Sequence, residues 1–167
     1  MSNSYRRVEV VRSVKAYHET DPEGAYWARF RGTYHSQQPS GVTYVAWSPA
    51  APHDLAVTAS TRITVLDGST LDTRYTLAKF RTAAMSGRFR ADGRLLCAGS
   101  DDGYVRVFDA TKRSVLRAYK AHSAAVRSVC FTADKVQLVT GSDDASVCVW
   151  DLPTGACVRR LTAAHRE

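Results

Sequence analysis

Two acidic pairs, Asp101-Asp102 and Asp143-Asp144, have the residue type of a general acid and base. His122 followed by Ser123 has the types of a hydrolase base and nucleophile. Cys97, Cys130, Cys148 and Cys157 have the type of thiolate nucleophiles or zinc ligands. None of these groups has the spacing its chemistry needs. The acidic pairs recur 42 residues apart in the same surroundings, which marks a repeated turn and not a unique site. No G-x-S-x-G elbow supports a serine nucleophile. No two cysteines form C-x-x-C or stand at zinc-ligand spacing. Three of them, Cys97, Cys130 and Cys148, sit inside apolar strand patterns and read as reduced thiols packed as small hydrophobes, which points to a reducing, intracellular compartment. No phosphate loop, dinucleotide fingerprint, H-E-x-x-H or calcium loop occurs. The expectation is a protein that is not an enzyme and holds no cofactor or metal.

The elements that position these residues follow from an internal repeat. Phe89 to Asp109 reads "FRADGRLLCAGSDDGYVRVFD" and Phe131 to Asp151 reads "FTADKVQLVTGSDDASVCVWD", 42 residues apart with no gap. Another 42 residues upstream lies Trp47 to Asp67, "WSPAAPHDLAVTASTRITVLD". Units of roughly 40–45 residues with four strands each are blades of a β-propeller. In the third unit the expected strands are Ala125 to Phe131, Val136 to Gly141, Ser146 to Asp151 and Ala156 to Leu161. The turn "SDDA" between the second and third suits Asp, whose side chain accepts local backbone N–H bonds. The third strand, apolar at successive positions, reads as buried on both faces between neighbouring blades. The predicted fold is all-β, an incomplete propeller of about three four-stranded blades near 41–80, 81–122 and 123–165. Residues 41–167 form this segment, and residues 1–40 form an extension with a strand expected near 26–34.

Gly-Ser-Asp-Asp, then an apolar strand ending Trp150-Asp151, resembles the WD-repeat family. The resemblance implies a structural tetrad in the third blade, formed by His122, Thr140, Asp144 and Trp150, a buried chain of hydrogen bonds joining loop, turn and strand. The second repeat keeps Asp102 but has Phe80, Ala98 and Phe108 in place of the His, Thr and Trp. The first keeps Thr58-Ala59-Ser60 but neither the turn Asp nor the Trp, so both blades are expected to rely on apolar packing.

A closer resemblance covers roughly residues 25–165. "YWARF" near Tyr26, "AVTASTRI" from Ala56, "FRADGRLLCAGSDDGYVRVFDA" from Phe89 and "FTADKVQLVTGSDD" from Phe131 look like the WD-repeat subunits of the small-subunit processome. That likeness implies a non-catalytic scaffold in the nucleolus of the nucleus, supporting pre-ribosomal RNA processing toward 18S ribosomal RNA and ribosomal RNA transcription. Its implied partners are other processome subunits, pre-ribosomal RNA and the U3 small nucleolar ribonucleoprotein, within a multi-protein complex. The WD-repeat pattern by itself also leaves open an adaptor of another complex, a ubiquitin-ligase substrate receptor or a chromatin-associated reader. The likeness also implies more propeller blades and a C-terminal helical domain in the whole protein. Three blades do not close a ring, and "TAAHRE" ends where a fourth repeat would open with His165, so the chain is expected to be a piece of a longer protein, or a truncated gene product.

Charge supplies the remaining signal. The net charge is +7. Residues 74–120 hold eleven Lys and Arg against four Asp, the whole of the excess, while the flanking segments balance. Lys79, Arg81, Lys120 and Arg127 are expected near one face of the propeller, Arg94, Lys112 and Arg113 near the opposite face, and Arg74 and Arg117 on outer strands. These, Arg74 apart, are the candidate contacts for RNA backbone or an acidic protein. A solvated surface that happens to be basic is the alternative. The first twenty residues carry Arg6, Arg7, Arg12 and Lys15 without an apolar block, and no stretch approaches the roughly 18 apolar residues of a membrane span, so neither signal peptide nor membrane is expected.

Overall fold

A computed structural model describes residues 22–29 and 35–162. The chain divides into a unit up to Ser36 and a unit from Gln37 onward. In the first, Pro22–Trp27 forms the short helix α1. The strand expected near 26–34 is therefore absent where the chain is described: Tyr26 and Trp27 end the helix, and residues 30–34 lie outside the described residues. Pro22 at the first helical position and Glu23 in the first turn favour helix initiation, which overrides the strand preference of the aromatic pair.

Among the described residues the second unit contains twelve strands in three four-stranded antiparallel sheets. Blade one comprises β1 (Val42–Trp47), β2 (Leu55–Ala59), β3 (Arg62–Leu66) and β4 (Thr73–Leu77). Blade two comprises β5 (Ala84–Phe89), β6 (Leu95–Ser100), β7 (Tyr104–Asp109) and β8 (Ser114–Lys120). Blade three comprises β9 (Val126–Phe131), β10 (Gln137–Ser142), β11 (Ser146–Asp151) and β12 (Cys157–Thr162). Each sheet runs in sequence order from its first strand to its fourth. The 42-residue period persists in the irregularities. The pairing of third and fourth strands slips between Val65 and Leu66, Val107 and Phe108, and Val149 and Trp150. Leu71, Arg113 and Gly155, again 42 apart, all take positive φ in the turn that follows the third strand.

The turns have a common cause. Asp67 follows β3 directly, Asp109 and Asp151 end β7 and β11, and each accepts backbone N–H bonds from the turn beyond: Ser69 and Thr70, Thr111 and Lys112, and Thr154. Such side-chain caps satisfy donors that would otherwise face solvent unpaired and pin the chain reversal.

Two apolar clusters hold the blades together. Ala56, Ile63, Val65 and Leu77 of blade one pack against Leu96, Ala98 and Phe108 of blade two. Cys97, Val105 and Val107 of blade two pack against Val126, Val129, Leu138 and Trp150 of blade three. β3 and β7 are buried at nearly every position, as strands covered on both faces must be. β11 departs from this expectation: Ser146, Cys148 and Trp150 are buried, while Val147 and Val149 are only half-buried. No further blade lies against its other face among the described residues.

Candidate functional site

Blade three joins four side chains from four separate elements. His122 stands in the connection from β8 to β9 and is 3% exposed. Its Nδ1 lies 3.0 Å from Asp144 Oδ2 in the β10–β11 turn and 3.0 Å from Ser146 Oγ. Its Nε2 lies 2.8 Å from Thr140 Oγ1 on β10. Trp150 on β11 donates Nε1–H to that same oxygen over 3.1 Å. The Asp144 carboxylate faces Nδ1, which calls for the ring proton there, and leaves Nε2 toward the Thr140 hydroxyl. Burial pushes the Asp144 carboxyl up, but bonds from Ser146, His122 and the Ser123 N–H outweigh it and hold it well below the usual carboxylate range. Both ring nitrogens are thus engaged, and Ser123 contributes only its backbone N–H, over 3.2 Å to Asp144. The network ties the interblade connection to the blade's own turn and third strand.

Blade two solves the same problem with different residues. Phe80 and Phe108 stand 42 residues before His122 and Trp150, and their rings pack with centroids 5.5 Å apart. Asp102, the counterpart of Asp144, has no histidine. Arg106 takes that place: Nη1 donates to Ser100 Oγ over 2.8 Å, and Nη2 lies 3.5 Å from Asp102 Oδ2. The guanidinium sits 5.0 Å from the Phe80 ring centroid and 5.4 Å from that of Tyr104. Burial pushes the Asp102 carboxyl up, yet the hydrogen bonds from Ser100 and Tyr104 and the charge of Arg106 leave it lowered. Apolar packing is therefore only part of what holds blade two. Sequence reasoning passed over Arg106, whose signal is an arginine flanked by Val105 and Val107 in a strand buried on both faces, beside an aspartate lacking its histidine.

The acidic pairs separate on inspection. Asp143 pairs with Arg127, Nη2 to Oδ2 at 2.7 Å, and Asp144 serves the tetrad. Asp101 is exposed, and its N–H bonds Ala83 O. Among the described residues no cluster of three or more His, Cys, Asp or Glu could hold a metal, and no helix is long and apolar enough to cross a membrane.

The basic residues distribute over both ends of the blades. Backbone bonds from Asp101 N to Ala83 O, His122 N to Gly103 O, and Asp143 N to Ala125 O tie the interblade connections and the second-to-third-strand turns into one end. Lys79 and Arg81, in the connection before β5, and Lys120, closing β8, stand at this end, as does Arg127 at the start of β9. Lys120 Nζ bonds Asp102 O at 3.1 Å and lies 4.9 Å from the Tyr104 ring. Arg94, Lys112 and Arg113 occupy turns at the opposite end, Arg113 lying 5.0 Å over Tyr75. Arg117, on β8, donates Nη2 to Pro153 O of blade three over 2.8 Å and so bridges two blades.

Fold, repeat and tetrad together define the class: a WD-repeat β-propeller segment with three blades. Residues 79–109 and 113–151 match the WD domain, G-beta repeat. Over 153 residues, 92% of its length, the chain is 36% identical to U3 small nucleolar RNA-associated protein 15 homolog of Xenopus tropicalis. It is 35% identical over 157 residues to U3 small nucleolar RNA-associated protein 15 of Schizosaccharomyces pombe, 93% of this chain and 32% of that protein. It is 36% identical over 147 residues to protein SLOW WALKER 1 of Arabidopsis thaliana, 87% of this chain and 27% of that protein. The chain spans about 30% of the length of the Xenopus relative.

Proposed function

We propose that the chain is part of a non-catalytic scaffold of the small-subunit processome in the nucleolus, supporting processing of pre-ribosomal RNA toward 18S ribosomal RNA and transcription of ribosomal RNA. The observation that carries this reading is the similarity, over about nine-tenths of the chain, to proteins whose names state an association with U3 small nucleolar RNA. The geometry supports a scaffold: the His122–Asp144 pair is consumed by a structural network, and basic side chains stand at both ends of the blades. Other processome subunits, pre-ribosomal RNA and the U3 small nucleolar ribonucleoprotein are the partners this reading assigns. The basic contacts are Lys79, Arg81, Lys120 and Arg127 at one end, with Arg94, Lys112 and Arg113 at the other and Arg117 between them. Their spread suits contact with an extended backbone better than capture of a small anion. The test is depletion of the full-length protein in cells, followed by measurement of ribosomal RNA species. Loss of 18S RNA with accumulation of its precursor, and little change in large-subunit RNA, is the expected result. Unchanged 18S production would remove the reading.

A further inference from the structure

We infer that blade two, with the connection leading into it, carries a phosphate pocket that grips RNA backbone without reading its bases; this rests on the RNA-contacting role proposed above. The pocket has a volume of about 250 Å³ and is lined by Arg81, Asp102, Tyr104, Arg106 and Ala118. That is below the range of about 300–1,000 Å³ typical of drug-sized ligands and leaves room for one compact ionic group. Arg81 and Arg106 line it with a single carboxylate, Asp102, and Lys120 stands at its edge, its Nζ on the Asp102 backbone carbonyl and over the Tyr104 ring, an excess of two positive charges. Asp102 is already engaged by the Ser100 hydroxyl, the Tyr104 N–H and Arg106, so it offers little to a cationic ligand. Arg106 has five N–H donors, and two hydrogen bonds hold it, to Ser100 and Asp102. Its remaining donors, and the exposed Arg81, suit the several acceptor oxygens of a phosphate.

The fold does not require this cluster. At the positions of Arg81, Tyr104, Arg106 and Lys120, blade three has Ser123, Ser146, Cys148 and Thr162, and blade one has Pro39, Arg62, Thr64 and Ala78. Three cations about one pocket are peculiar to blade two, inside the segment that holds the chain's whole charge excess. The Tyr104 ring is occupied by Arg106 and Lys120, at 5.4 and 4.9 Å, and is not offered as a platform for a base. The pocket therefore reads charge and not sequence. RNA backbone is favoured over an acidic peptide because Lys79, exposed two residues before Arg81 in the same connection, continues the positive edge beyond the pocket, as a chain of regularly spaced single charges requires.

The test is fluorescence anisotropy of the full-length protein with short labelled oligouridylate, alongside oligoadenylate and an oligoglutamate peptide. Arg81→Ser and Lys120→Thr install the blade-three residues at exposed positions, and circular dichroism checks that each variant keeps its strands. Each is expected to weaken oligouridylate binding roughly three- to ten-fold at moderate salt and to lower the salt slope by about 0.7 per lost phosphate contact. Oligoadenylate will behave alike, within about two-fold. Wild-type binding by both folded variants overturns the pocket; if Arg113→Gln at the opposite end weakens binding instead, RNA contact survives at another edge. Failure of the wild-type chain to bind either RNA removes the RNA reading itself. Loss of oligoglutamate binding alone in Arg81→Ser would assign the pocket to a protein carboxylate and overturn the proposal, as would a strong preference for one base.

Discussion

Trp150 stacks on Tyr119 across the seam between blades two and three, with ring centroids 5.6 Å apart and planes 15° from parallel. The same indole donates to Thr140 inside its own blade. One side chain thus closes the blade-three tetrad and the seam to its neighbour. Trp150→Ala removes both, and the expected loss in chemical denaturation is about 3–5 kcal/mol. The Tyr119 hydroxyl is buried without a hydrogen-bond partner among the described residues. Tyr119→Phe keeps the stack and deletes that unpaired group, so it is expected to be neutral or stabilising by up to about 1 kcal/mol. A loss below about 1 kcal/mol for Trp150→Ala, or a clear loss for Tyr119→Phe, contradicts this packing.

Gly103 and Ala145 occupy the same turn position in successive blades, both at positive φ, +78° and 57°. A Cβ on Gly103 would lie 2.3 Å from the His122 carbonyl oxygen, so the turn and the next interblade connection are in backbone contact. Gly103→Ala therefore meets both left-handed strain and a backbone clash, and about 2–4 kcal/mol of destabilisation is expected. Ala145→Gly removes strain without that clash and is expected to fall within about 1 kcal/mol of the parent, in either direction. Equal melting temperatures for Gly103→Ala and the parent would refute the contact.

Asp144 links stability to acid. Its carboxyl is depressed in the folded chain relative to an unfolded value of about 3.9. A depressed folded value means that the unfolded chain binds the proton more readily. Its stabilising contribution is thus present above about pH 4 and declines as pH falls toward the folded value. Asp144→Asn is expected to lower stability at neutral pH and to reduce the slope of its loss below about pH 4. An unchanged acid limb, measured by denaturation across that range, would show that the carboxylate is not held as described.

Much of this architecture is legible in the sequence because it repeats. The 42-residue offset aligns the turn aspartates Asp67, Asp109 and Asp151, and the Gly-Ser-Asp-Asp turns place two strand boundaries within a residue or two. What escapes has a physical reason in each case. Arg106 fills a position taken by Thr64 and Cys148 in the neighbouring blades, so the repeat gives no hint that it replaces a histidine from another element. The two-sided burial expected of β11 depends on a neighbouring blade and not on its own residues. The helix at Pro22–Trp27 is signalled only by a proline and an acid at its start, against an aromatic pair that favours strand. The scatter of basic residues over both ends follows from turn positions, but the Arg117 bridge to Pro153 needs the packing of two blades.

The outer blades leave apolar surface uncovered. Val45 and Trp47 on β1 are 50% and 56% exposed, and Val158 and Leu161 on β12 are 59% and 42% exposed. Val139, Val147, Val149 and Leu161 stand 42 residues after Cys97, Val105, Val107 and Tyr119, which pack in the seam between blades two and three. The free side of blade three is therefore patterned as half of another such seam, and stacked repeats depend on neighbours to cover such faces. Expressed alone, the 167-residue chain is expected to associate as concentration rises and to unfold over a broad range. A monodisperse monomer with a sharp cooperative melt, seen by light scattering and calorimetry, would contradict this.

The most direct test of the scaffold role is affinity purification of the full-length protein from its own cells, with the co-purifying RNA and proteins quantified. Enrichment of U3 small nucleolar RNA, pre-ribosomal RNA and a defined set of nucleolar proteins is the predicted result. Enrichment of ubiquitin-ligase or chromatin components, with U3 small nucleolar RNA at background, would contradict the account.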